Sequence, residues 1–309
     1  MSSGSITTGR MSGLLTLAIG ALFYSSGSIA RPDLQPLGPN IADKGSAFYH
    51  FTLRQYDSAD GERHYRVWTA VPDKTPPAAG YPVLYMLDGN AVMDKLDDAF
   101  LQQLFAGSPP VIVAIGYQTA LPFDTAARAW DYTPPLKTHE PRAGKPALPP
   151  RKTGGNDVFR QLLTETMVPQ TEANLKIDPH QRAIWGHSYG GLFVLDAWRK
   201  ASLFGIYYSA SPSLGQALQS PLQASQSLDA VRFRGKSLYL LEGDGKARGE
   251  PSGHEASLEV LRQTQQQLAS KGLTVAFWRY PGLTHGQMFE VSLRSALLHL
   301  SGQAALAHQ

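Results

Sequence analysis

Gly186-His187-Ser188-Tyr189-Gly190 sets a serine between two glycines in the spacing G-x-S-x-G. A serine hydroxyl is a weak nucleophile until a base takes its proton, and it must stand clear of the backbone to reach a carbonyl. A very tight strand-to-helix turn does the second job, and only residues with almost no side chain fit two before and two after the serine. The apolar run Ala183–Trp185 leads in and the helix-forming stretch Leu192–Arg199 leads out, which is the setting a nucleophile elbow requires. The positive end of that helix lies behind the hydroxyl, where negative charge would develop during acyl transfer.

Such a serine needs a histidine, and in an elbow of this kind the chain order is serine, acid, histidine. Of the nine histidines, His285 fits best, in Pro281-Gly282-Leu283-Thr284-His285-Gly286, after the last strand-like run and before the final helix. His254 precedes an earlier helix, and His187 lies inside the elbow with its ring expected to point away from Ser188. His139, His180, His299 and His308 read as surface or tail residues. For the acid, Asp244 stands at the expected place after Tyr239-Leu240-Leu241-Glu242-Gly243, with Glu242, Glu250 and Glu255 as competitors. A Ser–His dyad, its ring held by a carbonyl or water, is the other arrangement. The oxyanion needs two backbone N–H groups. Tyr189 should supply one and Asn90, in Leu87-Asp88-Gly89-Asn90, the other, unless Asp88-Gly89-Asn90 only caps the helix that follows.

Those groups must be carried by a particular frame. Phe48–Tyr56 and His64–Pro72 alternate around Asp60-Gly61 and predict a β-hairpin. Pro82–Leu87, Val111–Ile115, Arg182–Trp185, Gly205–Ser209, Ser237–Leu241 and Thr274–Tyr280 are short apolar runs of the kind that form buried parallel strands. Between them lie helical patterns through Leu104, over Val158–Leu175 and Tyr189–Lys200, near Pro221–Val231, and over Glu255–Ser270 and Gly286–Leu300. The expectation is one α/β domain over residues 31–309, a mostly parallel sheet with an N-terminal antiparallel hairpin and helices on both faces. Residues 117–156 interrupt the pattern as a long Pro/Gly-rich loop bearing Lys137, Arg142, Lys145, Arg151 and Lys152.

Composition narrows the class. The 309 residues are 42% hydrophobic and 17% charged, which suits a single sizeable core. A net charge of +3 is too slight for a dedicated nucleic-acid binder. The chain has no cysteine, so disulfides, thiolate zinc sites and cysteine nucleophiles are excluded. Phosphate-loop and dinucleotide-binding signatures are absent, and no metal-ligand spacing stands out. At the start, Arg10 precedes the apolar stretch Met11–Phe23, followed by small residues at Ser28 and Ala30. Residues 1–30 therefore read as a cleaved signal peptide, with a periplasmic mature protein that keeps no membrane contact.

Pro82-Val83-Leu84-Tyr85-Met86-Leu87-Asp88-Gly89, Arg128-Ala129-Trp130-Asp131-Tyr132-Thr133-Pro134, Ile177-Asp178-Pro179 and the elbow extended to Gly191-Leu192-Phe193 resemble the esterase-D-like "putative esterase" family of α/β-hydrolases. The likeness runs over about residues 45–300 and is greatest to the exported branch of siderophore esterases. It implies hydrolysis of the triserine trilactone of a ferric catecholate siderophore, with Ser188 and His285 as the catalytic pair and Arg128 near the substrate. On that reading iron arrives within the substrate and no cofactor is needed. Arg128, Trp130, Tyr132, Arg151 and Lys152 then become candidate substrate contacts, cations beside aromatic rings for an anionic catecholate. The same machinery also suits an exported esterase for feruloyl, acetyl or other small acyl groups, and a hydrolase fold can serve as a non-catalytic siderophore binder.

Overall fold

The computed structural model describes residue 1 and residues 34–135, 152–214, 229–246 and 254–309. The expected signal segment, the basic run at 136–151 with Arg151, and most of the helix expected near Pro221–Val231 lie outside the described residues.

Among the described residues, eight strands form one sheet. They are β1 (Tyr49–Asp57), β2 (His64–Pro72), β3 (Tyr81–Leu87), β4 (Val111–Tyr117), β5 (Ile177–His187), β6 (Ile206–Ala210), β7 (Ser237–Gly243) and β8 (Thr274–Tyr280). Their spatial order is β1-β2-β4-β3-β5-β6-β7-β8. β1, β2 and β4 pair antiparallel, and every pairing from β4 to β8 is parallel. Every residue of β3 and β4 is buried, which is why both read as unbroken apolar runs. Successive side chains still go to opposite faces. Val83, Tyr85 and Leu87 join one core with Ile184 and Phe193, while Leu84 and Met86 join the other with Trp185 and Leu297.

The helices differ from expectation in instructive ways. After the short helix α1 (Ile41–Lys44) ahead of β1, the pattern that follows β3 divides into α2 (Gly89–Lys95) and α3 (Asp98–Ala106), because the Asp97 carboxylate accepts from the Phe100 amide at 2.7 Å and starts a new helix. The stretch from residue 117, expected as loop, contains α4 (Thr125–Tyr132), capped by Asp124 through the amides of Ala126 and Ala127. The helix expected over Val158–Leu175 is α5 (Asn156–Leu162), a π-helical turn at Leu163–Met167, and α6 (Val168–Glu172). Pro169 brings no N–H to that ladder, which accounts for the widened turn. Next come α7 (Tyr189–Arg199), a 3₁₀ turn at Ala230–Phe233, α8 (His254–Ser270) and α9 (Met288–Leu300). Past α9 the chain returns to β8, where Gln309 and Arg279 exchange backbone hydrogen bonds of 2.8 and 3.0 Å and His308 stacks on Trp278 at 4.5 Å.

Among the described residues, no helix is long and apolar enough to cross a membrane.

Candidate active site

Ser188 sits between β5 and α7 with φ 60° and ψ −115°, a conformation that costs a non-glycine residue about 1–3 kcal/mol. The neighbouring glycines permit it. A Cβ on Gly186 would lie 2.4 Å from the Gly190 carbonyl carbon, and one on Gly191 would lie 2.5 Å from the Ala210 oxygen. The Ser188 amide donates to Ala210 at 3.0 Å, and the Ser213 amide donates to the Ser188 carbonyl at 3.1 Å. Strand β6 and the turn after it therefore fix the elbow from one side. The Ser188 hydroxyl is 2.9 Å from the Ser213 hydroxyl, a partner that sequence reasoning missed. Tyr189 opens α7, where first-turn amides have no intrahelical carbonyl to bond and can face a developing oxyanion.

His285 lies beside this elbow. His187 donates from Nε2 to the main-chain oxygen of His285 at 2.8 Å, and the two ring centres are 4.7 Å apart. His187 thus points away from the serine hydroxyl toward the histidine loop. Burial, with the adjacent His285 second, holds its pKa well below the usual histidine range.

Asp244 occupies its expected place after β7 but is engaged elsewhere. Its carboxylate pairs with Arg279 and accepts the Gly282 amide at 2.5 Å, and those contacts hold its pKa below the usual carboxylate range. Gly282 is three residues before His285, so Asp244 fastens the turn that carries the histidine. Glu242, the other acid at the end of β7, is buried and accepts from the Ser211 hydroxyl at 2.6 Å and the Gly243 amide at 3.1 Å.

Across the elbow, Asp88 precedes α2 in a left-handed conformation with φ 57°. It makes no capping bond to that helix, which removes the simple capping explanation of Asp88-Gly89-Asn90. The Asn90 side chain bonds the end of β4 instead, donating to Tyr117 and Thr119 at 3.1 and 2.9 Å and accepting from the Tyr117 amide at 2.9 Å. Gly116 leaves room for it, since a Cβ there would lie 2.0 Å from Asn90 Oδ1. The backbone amide of Asn90 remains in the first turn of α2, the helical position from which it can serve an oxyanion.

The expected substrate contacts divide. Arg128 forms a bidentate pair with Asp88, Nε to Oδ1 at 2.8 Å and Nη2 to Oδ2 at 2.7 Å. The arginine side chain is 13% exposed and the aspartate 1%, so Arg128 brings no unmatched charge to the cleft. Tyr132 is fully buried and accepts the Asp88 amide at 3.3 Å, which removes it as a ligand contact and makes it part of the same support. Trp130 is half-buried under Lys152, whose Nζ lies 4.8 Å from the ring centre and 3.1 Å from Glu62. That Lys152–Glu62 pair is exposed and worth at most about 1 kcal/mol, so the lysine can turn to another anion. Behind α4, Asp131 is buried with Arg63 at 3.1 Å and the hydroxyls of Tyr65 and Tyr117 at 2.9 and 3.0 Å. Burial pushes its carboxyl up to about 7 against those stabilising partners. Among the described residues there is no group of acids and histidines suited to hold a metal ion.

Residues 58–300 match the family described as "Putative esterase". The chain belongs to that family. The esterase is 50% identical over 292 residues to an apo-salmochelin esterase of Escherichia coli, covering 94% of this chain and 90% of that one. It is 35% identical to a ferri-bacillibactin esterase of Bacillus subtilis, over 81% of this chain and 90% of the relative. Among solved structures, "Enterobactin and Salmochelin Hydrolase IroE" superposes with a TM-score of 0.75 at 51% identity, covering 86% of this chain and all of that one. The esterase therefore has the α/β-hydrolase fold expected from its strand pattern and elbow.

Proposed function

We propose that the esterase hydrolyses the lactone esters of a catecholate siderophore of the enterobactin–salmochelin type, with Ser188 as nucleophile and His285 as base. The observation that carries the reading is Ser188 itself. It is strained and lifted between the first turns of α7 and α2, in a chain half identical to an apo-salmochelin esterase. His285 takes the hydroxyl proton as Ser188 Oγ bonds to the ester carbonyl, and the oxyanion meets the amides of Tyr189 and Asn90. Collapse breaks the bond to the seryl oxygen, which leaves with the proton from His285. Water, deprotonated by the same ring, then releases the acyl group and restores Ser188.

The exposed Lys152 beside Trp130 gives the rim a cation over an aromatic face, suited to a catecholate. The signal-like segment at residues 1–30 supports export to the periplasm. The relatives' names specify an iron-free substrate in one case and a ferric one in the other, so both forms belong in the test.

The purified protein is incubated with iron-free and with ferric enterobactin, beside a neutral aryl ester, and the products are followed by mass spectrometry. Conversion of the ring to linear trimer, dimer and monomer, abolished in Ser188→Ala, is the expected result. Cleavage of the aryl ester alone would return the substrate to feruloyl or small acyl esters. Binding of enterobactin without cleavage of any ester would leave only a non-catalytic binder.

A further inference from the structure

We propose that Ser213 is a second catalytic hydroxyl, which donates a hydrogen bond to Ser188 Oγ and speeds release of the acyl group from it. This rests on the assignment of Ser188 as nucleophile and His285 as base. It does not rest on the identity of the substrate.

The turn after β6 holds this hydroxyl in place. Ser211 is strained, at φ 38°. Its amide donates to the Leu241 carbonyl at 2.8 Å and its hydroxyl to buried Glu242 at 2.6 Å, so two bonds tie it to the end of β7. Gly191 lets Pro212 close on α7, since a Cβ on that glycine would lie 3.2 Å from Pro212 Cα. Ser213 follows, with its amide on the Ser188 carbonyl at 3.1 Å and its hydroxyl 2.9 Å from Ser188 Oγ. Main chain and side chain of one residue thus meet main chain and side chain of the nucleophile.

Chemistry sets the direction of the bond between the two hydroxyls. Ser188 carries one hydroxyl hydrogen, and during attack it goes to His285. Only Ser213 can then be the donor. Such a bond helps one half of the cycle more than the other. In the free enzyme Ser188 Oγ is a hydroxyl oxygen that accepts well, so the bond exists before acylation and changes little as Oγ attacks. In the acyl-enzyme the same atom is an ester oxygen, whose lone pair is drawn into the carbonyl, and the bond weakens. Water then adds to that carbonyl and gives a proton to His285, which ends the delocalisation. As the acyl–oxygen bond breaks, its electron pair passes to Oγ and the proton returns from His285. Ser213 transfers no proton. Its hydrogen bond is regained as the acyl-enzyme breaks down, so it lowers the barrier to deacylation and leaves that to acylation nearly unchanged.

Wild type, Ser213→Ala and Ser213→Thr are compared on a nitrophenyl acyl ester, each with a thermal melt. Intact-protein mass spectrometry after rapid quenching follows the acyl-enzyme through formation and decay. Labelling by a fluorophosphonate reports attack by Ser188 alone. A hydrogen bond to an oxygen that gains charge is worth about 10- to 100-fold in rate. In Ser213→Ala the acyl-enzyme should accumulate and decay more slowly by that factor, while labelling stays within about threefold of wild type. kcat and KM then fall together. Ser213→Thr keeps the donor and should restore decay. Labelling that slows as much as decay would make Ser213 a support for the nucleophile only, and labelling that quickens would make Ser188 the donor. Either result overturns the proposal, as would unchanged decay in Ser213→Ala. If Ser213→Ala does not fold, Ser213→Cys, a weak S–H donor, should show a smaller slowing of the same step. Wild type not labelled at Ser188 would defeat the nucleophile assignment. Wild type that cleaves the nitrophenyl ester but not enterobactin would defeat only the siderophore reading, and the decay of the acyl-enzyme would still decide the role of Ser213.

Discussion

His187 donates from Nε2 to the main-chain oxygen of His285, so the residue before the nucleophile holds the loop of the proposed base. A carbonyl can only accept, which fixes the neutral His187 tautomer with its proton on Nε2. Burial keeps that ring neutral in the folded protein, while the unfolded chain takes up a proton below about pH 6.5. Its contribution to stability is therefore present above about pH 6.5 and lost as the pH falls, by up to about 1.4 kcal/mol per pH unit. Urea unfolding at pH 5 and pH 7.5 should show a smaller acid loss in His187→Phe than in wild type. An equal or larger loss in the variant would contradict this account.

Asp244 is expected to act on the turn and not on the imidazole. Replacing a triad aspartate by asparagine lowers kcat by about 10⁴-fold. Asp244→Asn should lose less than about tenfold, since its carboxylate faces Arg279 and the Gly282 amide. Steady-state kinetics on an aryl ester decide between the two values.

Asp131, in the last turn of α4, ties that helix to Arg63, Tyr65 and Tyr117. Breaking a buried ion pair on one side typically costs about 3–5 kcal/mol, because the remaining charge is stranded. Asp131→Asn removes the buried partner of Arg63, but Asp60 at 2.9 Å and Glu62 at 3.6 Å remain as counter-charges, so the cost in denaturant unfolding at neutral pH should fall below that range, at about 2 kcal/mol. A change below about 1 kcal/mol would mean that the carboxyl is already neutral in the folded protein.

Gly155 is packed flat against Trp130, where a Cβ would lie 2.2 Å from the indole nitrogen. Gly155→Ala must displace the ring, at a cost of about 1–3 kcal/mol by the usual penalty for overpacking. If Trp130 and Lys152 form the rim of the siderophore site, KM for enterobactin should rise several-fold while the neutral ester is unaffected. Equal effects on both substrates would place the damage at the chemistry instead.

The strands and the elbow were legible because each is written locally. Pro82–Leu87 and Val111–Ile115 are apolar throughout because both sheet faces are covered, and the turn leaves no room for a Cβ at Gly186 or Gly191, whereas one at Gly190 would meet only ordinary contacts at 3.5 Å. Helix α4 was hidden because it is short, opens on Asp124 and lies between proline-rich stretches, so its composition resembled the loop around it. The Arg128–Asp88 pair spans 40 residues and no local pattern marks it. Tyr132 looked like a ligand contact because an aromatic near arginines has the same composition whether it lines a cleft or supports it. Ser213 carried no signal, and the partners that enclose Asp131 come from distant parts of the chain.

The pairing of Gln309 with Arg279 bears on how the molecule behaves when crowded. An outermost strand is a template on which a second chain can grow. At Arg279 of β8 that edge is already paired with the molecule's own Gln309, with His308 laid over Trp278 like a latch. Lifting the latch would uncover a ready-made seam, so changes made there should show first as clumping at high concentration, before any loss of turnover.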